Sequence, residues 1–111
     1  MLSVQEIGDI AAPIARKVGV SELYLFGSQA KGTATSSSDI DFIYDFPENL
    51  SMSERAQNSR ALRAKLREAF GTDVDMIRKT YLTEKKSDPM SELMRVAFVS
   101  DLNTYTVYRI V

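Results

Sequence analysis

Apolar residues in this chain recur at two periods, and the changes of period divide it into helices and strands. After Ser3, the residues Ile7, Ile10, Ala11, Ile14 and Val18 fall three and four apart, the stripe of a helix that runs to about Lys17. Ser3 and Glu6 have capping-box spacing at its start, Pro13 should bend it or open its middle turn, and Gly19 stops it. Leu23 to Phe26 is a short aromatic-rich run that ends at Gly27-Ser28, as a buried strand meets a tight turn. A polar stretch follows, with Gly32 and the triple serine 36–38, read as a short helical turn and a loop. In Asp39 to Tyr44 a period of two puts Asp39 and Asp41 on one face and Ile40, Phe42 and Tyr44 on the other; Pro47 ends this strand after Phe46.

The second half repeats the alternation. Residues 51 to 70 form a helix capped by Ser51 or Ser53, with Ala56, Leu62, Leu66, Ala69 and Phe70 as its buried side and Gly71 as its end. Its arginines and lysine (Arg55, Arg60, Arg63, Lys65, Arg67) read as a solvated face, with a partner- or RNA-contacting patch as the alternative. Thr72 to Ile77 is a third strand, Val74 and Met76 on one face and Asp73, Asp75 and Ile77 on the other. Thr80 to Ser87 is polar and reads as a loop. Asp88-Pro89 then opens a helix whose buried stripe is Met90, Leu93, Met94, Ala97 and Phe98. Asn103 to Val111 reads as a terminal edge strand, with Tyr105 and Tyr108 packing within the chain or against a partner. The fold class expected is α/β (α+β): one domain over residues 1–111, a small mixed β-sheet with helices packed on it.

Composition narrows the chemistry. A length of 111 residues supports one hydrophobic core. With no cysteine and no histidine there is no thiolate site, no imidazole base and no usual zinc ligand, so catalysis has to run on carboxylates, hydroxyls, Lys/Arg or a bound hard metal. A net charge of −1, from 14 basic and 15 acidic residues, argues against sustained binding to long duplex nucleic acid, while local basic patches stay open. Glu6 and Asp9 in the first helix argue against a secretory signal, and no apolar run reaches membrane-spanning length, so a cytoplasmic protein is expected.

The candidate chemistry lies between Leu23 and Phe46. Two carboxylates side by side on a strand repel each other and are poorly hydrated when half-buried, so a fold that keeps them usually supplies a cation. All-oxygen ligands suit magnesium, which takes one or two carboxylates and leaves the rest of its shell to water and substrate phosphates. Gly27 permits close backbone approach, Ser28 adds a hydroxyl and exposed amides, and Lys31 adds positive charge, a combination suited to a nucleotide's polyphosphate. Taken alone, Gly27-Ser28 is a strand-to-helix turn and Asp39 with Asp41 an acidic strand start; their joint occurrence in two apolar strands calls for a ligand.

Written as a pattern the stretch is G-S-x10-D-x-D, and it resembles the signature of the nucleotidyltransferase fold of the DNA polymerase β superfamily, specifically its minimal nucleotidyltransferases. The residues that carry the resemblance are Leu25-Phe26-Gly27-Ser28-Gln29-Ala30-Lys31-Gly32 and Ser38-Asp39-Ile40-Asp41-Phe42, with Lys31 where Arg is commoner. A point charge there replaces a planar, bidentate contact. Gly71 followed by Val74-Asp75-Met76-Ile77 resembles the family's next strand, which implies Asp75 as the third carboxylate, with Asp73 as the alternative. The resemblance implies Asp39, Asp41 and Asp75 as catalytic and metal-binding residues for two Mg2+ ions. It implies Gly27, Ser28, Lys31 and Ser38 as the nucleotide site, and ATP as donor.

The implied reaction is attack of an acceptor hydroxyl on the α-phosphate with loss of pyrophosphate. Small members of the family are commonly paired with a helical HEPN-domain protein, in toxin–antitoxin systems where a toxin tyrosine is adenylylated. That partner and acceptor are the leading expectation here. Two other readings stand beside it: a non-catalytic nucleotide-binding module that neutralises its partner by contact, and nucleotidyl transfer to a small molecule or an RNA end.

Overall fold

In the computed structural model, residues 2–27, 30, 39–102 and 107–111 are described. Helix α1 (Val4–Val18) starts as its sequence requires: the Ser3 hydroxyl accepts from the Glu6 amide at 3.1 Å and the Glu6 carboxylate accepts from the Ser3 amide at 3.1 Å. The helix is continuous through Pro13 and ends at Gly19. Strand β1 (Glu22–Phe26) follows, then β2 (Ile40–Asp45), antiparallel to it. Helix α2 (Met52–Phe70) carries a second capping box, Ser51 with Glu54, which selects Ser51 over Ser53 as the cap. It delivers the chain into β3 (Val74–Arg78), parallel to β2, as a helical crossover allows. Next come α3 (Lys79–Thr83), α4 (Pro89–Leu102) and the two-residue β4 (Tyr108–Arg109), paired antiparallel to β1. The sheet is mixed, four strands in the order β3-β2-β1-β4, so the α+β expectation holds.

One face of the sheet builds the main core. Leu23, Leu25, Ile40, Phe42, Tyr44 and Val74 alternate onto it and meet Ile7, Ala11 and Ala15 of α1 and Leu62 and Leu66 of α2. Nine of those side chains (Ile7, Ala11, Ala15, Leu23, Leu25, Phe42, Leu62, Leu66 and Val74) are wholly buried. The α2 stripe is narrower than its sequence pattern: Ala56 and Ala69 are exposed, and Ser59 faces the sheet to hydrogen-bond the Tyr44 hydroxyl at 2.8 Å. The opposite face carries Glu22, Tyr24, Phe26, Asp41, Ile43, Asp45 and Asp75; α3 packs against β2 and β3, and the Phe98 ring of α4 meets Phe26 edge-on, centroids 6.2 Å apart.

Several expectations need correction. Residues 80–87 are not all loop, because Lys79–Thr83 closes a helical turn directly after β3. The α4 stripe is inverted: Met90, Leu93, Met94 and Ala97 are exposed, and only Phe98 of the set turns inward. Spacing fixes which residues share a helix face but not which face meets the domain; here Arg95, donating to the Leu82 carbonyl at 2.7 Å, and Phe98 choose the inner side. The edge strand is confined to Tyr108–Arg109, with Ile110 and Val111 bonded to Leu23; Tyr105 lies outside the described residues and Tyr108 is exposed. No helix among the described residues is long and apolar enough to cross a membrane.

Because Leu62 is fully buried between α2 and the sheet, Leu62→Ala should destabilise the chain by about 2–5 kcal/mol. Met52→Ala, at an exposed position, should stay within about 0.5 kcal/mol. Urea midpoints of the two variants against the parent check both.

Candidate active site

Register brings the site together. Asp41 on β2 is the partner of Phe26, the last residue of β1, and of Asp75 on β3. Ile40, Phe42 and Val74 are buried in the core, so strand alternation forces Asp41 and Asp75 onto the other face at the same level, on strands about 4.8 Å apart. Asp41 is half-buried, while Asp75 and Asp39, which directly precedes β2, are exposed.

Gly27 completes the enclosure from the β1 side. Its φ is 76°, in the left-handed region, and a Cβ placed on it would lie 2.3 Å from Asp41 Oδ2. No side chain fits between the β1 turn and the carboxylate, so backbone is brought against it directly.

The electrostatics follow from that packing. Burial, then the neighbouring charge of Asp75, hydrogen bonding to Asp75, and the charge of Asp39 raise the Asp41 carboxyl from 3.8 to about 6. The other acidic groups on this face are compensated. Glu22 is bonded to Lys79 Nζ at 2.8 Å and to the Tyr24 hydroxyl at 2.7 Å, which hold its carboxyl below the ordinary range, and Asp45 lies 3.8 Å from Arg78 Nε. Among the described residues no basic side chain forms an ion pair with Asp41 or Asp75.

Asp73 lies apart from that pair. It does not share the Asp75 face: its carboxylate lies 3.6 Å from Arg63 Nη2 and 3.3 Å from Arg67 Nε, and accepts from the Val74 amide. The signal was present in the sequence as two arginines spaced i, i+4 on the last turns of α2, ten and six residues before Asp73. Ser28, Lys31 and Ser38 lie outside the described residues.

The donor set fits a hard divalent cation. It consists of carboxylate oxygens alone, two of them opposed and lacking a counter-charge among the described residues. No three acidic side chains among the described residues converge closely enough to hold one ion together, so the pair Asp41 and Asp75 is the nucleus and Asp39 is a neighbour beside it.

Comparison with known proteins gives the family of this fold. The chain belongs to the nucleotidyltransferase domain family, whose profile matches residues 9–99, and is an enzyme of that class. It is 33% identical over 86 residues to the protein adenylyltransferase MntA of Thermococcus cleftensis, covering 74% of this chain and 83% of that one. It is 32% identical over 76 residues to a Methanocaldococcus jannaschii protein provisionally named a protein adenylyltransferase, covering 68% and 77%. Among solved structures its fold is similar to one described as a minimal nucleotidyltransferase (TM-score 0.56, 21% identity, 85% of this chain and 87% of that one). It is similar also to a chain from a toxin–antitoxin crystal structure with AMP-PNP (TM-score 0.51, 21% identity, 87% and 90%).

The raised Asp41 value gives a pH signature. Its native carboxyl binds a proton more tightly than the unfolded chain does, so the stability that proton confers is complete below about 3.8 and is lost as pH rises through about 6. Asp41→Asn should therefore melt higher than the parent above about pH 6 and lose that advantage toward pH 3.8, in thermal melts across the range without divalent metal.

Proposed function

We propose that this chain transfers AMP from ATP to a protein hydroxyl, a tyrosine of a HEPN-domain toxin partner, and so acts as an antitoxin. The observation that carries the chemistry is the uncompensated Asp41 and Asp75 pair held under the Gly27 backbone. The protein acceptor rests on the 33% identity to a relative named protein adenylyltransferase, and the HEPN partner rests on the family resemblance of the sequence.

Asp41 and Asp75, with Asp39 beside them, would hold magnesium, the two ions expected from the sequence. When bound, magnesium supplies charge neutralisation for the triphosphate and the departing pyrophosphate. Gly27 lets the triphosphate approach the strand end closely, and Ser28, Lys31 and Ser38 would bind its oxygens. The acceptor oxygen attacks the α-phosphorus in line, the P–O bond to the β-phosphate breaks, and pyrophosphate carries away that electron pair. Asp75, exposed on the edge strand β3, would take the proton from the attacking hydroxyl.

The test is label transfer from ATP tagged at the α-phosphate, with magnesium, to a co-expressed HEPN-domain protein, comparing the parent with Asp39→Asn/Asp41→Asn. Label should appear on the partner with the parent chain and fall by about 100-fold or more with the variant. No transfer from the parent, with magnesium-dependent ATP binding intact, would identify a binding module that acts by contact.

A further inference from the structure

Helix α4 presents its apolar side outward. Met90, Leu93 and Met94 are 65%, 63% and 64% exposed, Ala97 continues the line and Val96 flanks it at 49%. These positions fall at i, i+3, i+4 and i+7, so they form one stripe along two turns, with no charged side chain within it. The two charged residues between them, Glu92 and Arg95, bond to each other, and Arg95 also donates to the Leu82 carbonyl. That contact and the Lys86 amide hold the Glu92 carboxyl down at about 2. The inner side is fastened further by the Phe98 ring against Phe26 and Tyr81, at 6.2 and 6.3 Å. The outward stripe is therefore a fixed feature of a docked helix.

We propose that this stripe is the docking surface for the protein whose hydroxyl accepts the nucleotidyl group, an acceptor that meets it with an apolar face. The proposal rests on the adenylyl-transfer reading above.

Position, chemistry and size select this occupant. Phe98 packs on Phe26, and Phe26 is the register partner of Asp41, so α4 is anchored to the strand end that carries the carboxylates. A partner seated on α4 is thereby held beside the reacting atoms. The stripe carries no cation to meet a phosphate backbone, which favours a protein over RNA. Its two methionines are adaptable thioethers suited to an apolar partner face.

In size the stripe exposes on the order of 400 Å² of apolar surface, that of a functional patch, against roughly 800 Å² per side in a standard interface. Two copies packed stripe to stripe fall well short of a stable dimer. An acceptor that also reaches Asp41 and Asp75 covers the rim between α4 and the carboxylates and gains the missing area there.

Leu93→Glu/Met94→Glu in the full chain tests this; both side chains are already largely exposed, and a thermal melt verifies folding, with Leu93→Ser/Met94→Ser as the milder pair. The acceptor is the HEPN-domain protein of the label-transfer experiment. KM for that protein should rise at least about tenfold, equivalent to about 1.4 kcal/mol of lost docking, while kcat and the KM for ATP stay unchanged. An unchanged KM for the acceptor overturns the proposal, as does an equal loss in kcat, which would mean damage to the site itself. Sedimentation of the parent as a dimer that the substitutions dissociate would assign the stripe to self-association and overturn it too. Absence of label with the parent chain is the separate outcome in which the transfer reading fails and takes the docking assignment with it.

Discussion

The packing of one sheet face fixes the chemistry of the other. Ile40, Phe42 and Val74 are committed to the core with α1 and α2. With a side-chain period of two, their neighbours Asp41 and Asp75 have no choice of direction. Moving the two carboxylates apart would require slipping β2 against β3, and a one-residue slip would turn the wholly buried Phe42 out of the core. Like charges are therefore held together by hydrophobic burial elsewhere, and the cost appears in the raised Asp41 carboxyl. Gly27 adds to that cost, since its backbone lies where water would otherwise solvate Asp41 Oδ2.

The same face shows what a structurally satisfied acid looks like in this fold. Glu22 and Asp45, paired with each other in the β1–β2 register, lie at the end opposite to Asp41. They are matched by Lys79 and Arg78, the first residue of α3 and the last of β3. Tyr24 sits between, its ring flanked by Lys79 and by Arg109 of β4. Four acidic side chains thus share one sheet face, and basic partners among the described residues reach only one end of it. Desolvation without a partner is tolerated at the end where Gly27 brings backbone close, which is the arrangement a bound cation would relieve.

Much of this was legible in the sequence, for local reasons. Ser3 with Glu6 and Ser51 with Glu54 announce helix starts through contacts three residues apart, and Ile40, Phe42 and Tyr44 announce a strand face through alternation alone. Asp39, Asp41 and the glycine turn were legible as a motif. What strand period alone does not decide depends on register and on the choice between two faces. Asp73 and Asp75 are equivalent by strand period; only the arrival of Arg63 and Arg67 from α2 separates them. The breadth of the α2 stripe was overread for a similar reason: Ala56 and Ala69 are apolar enough to extend it, but the face that meets the sheet is carried by Ser59, Leu62, Leu66 and Phe70.

Helix α4 shows the limit of amphipathic reasoning most sharply. A periodic apolar stripe is ordinarily assigned to the core because burial is the largest favourable term available to a helix. Here the inward side is held instead by an ion pair, a side-chain bond to the Leu82 carbonyl, a cap at Asp88 and one aromatic ring. The bonds that leave the helix, Arg95 to the Leu82 carbonyl and the Lys86 amide to Glu92, are directional and demand a particular rotation about its axis, whereas dispersed apolar contacts would accept several. Polar fastening thus settles the orientation, and it does so while leaving Met90, Leu93 and Met94 in water. A helix oriented in this way keeps its hydrophobic free energy unspent, and α4 stands on the strand end that carries Asp41.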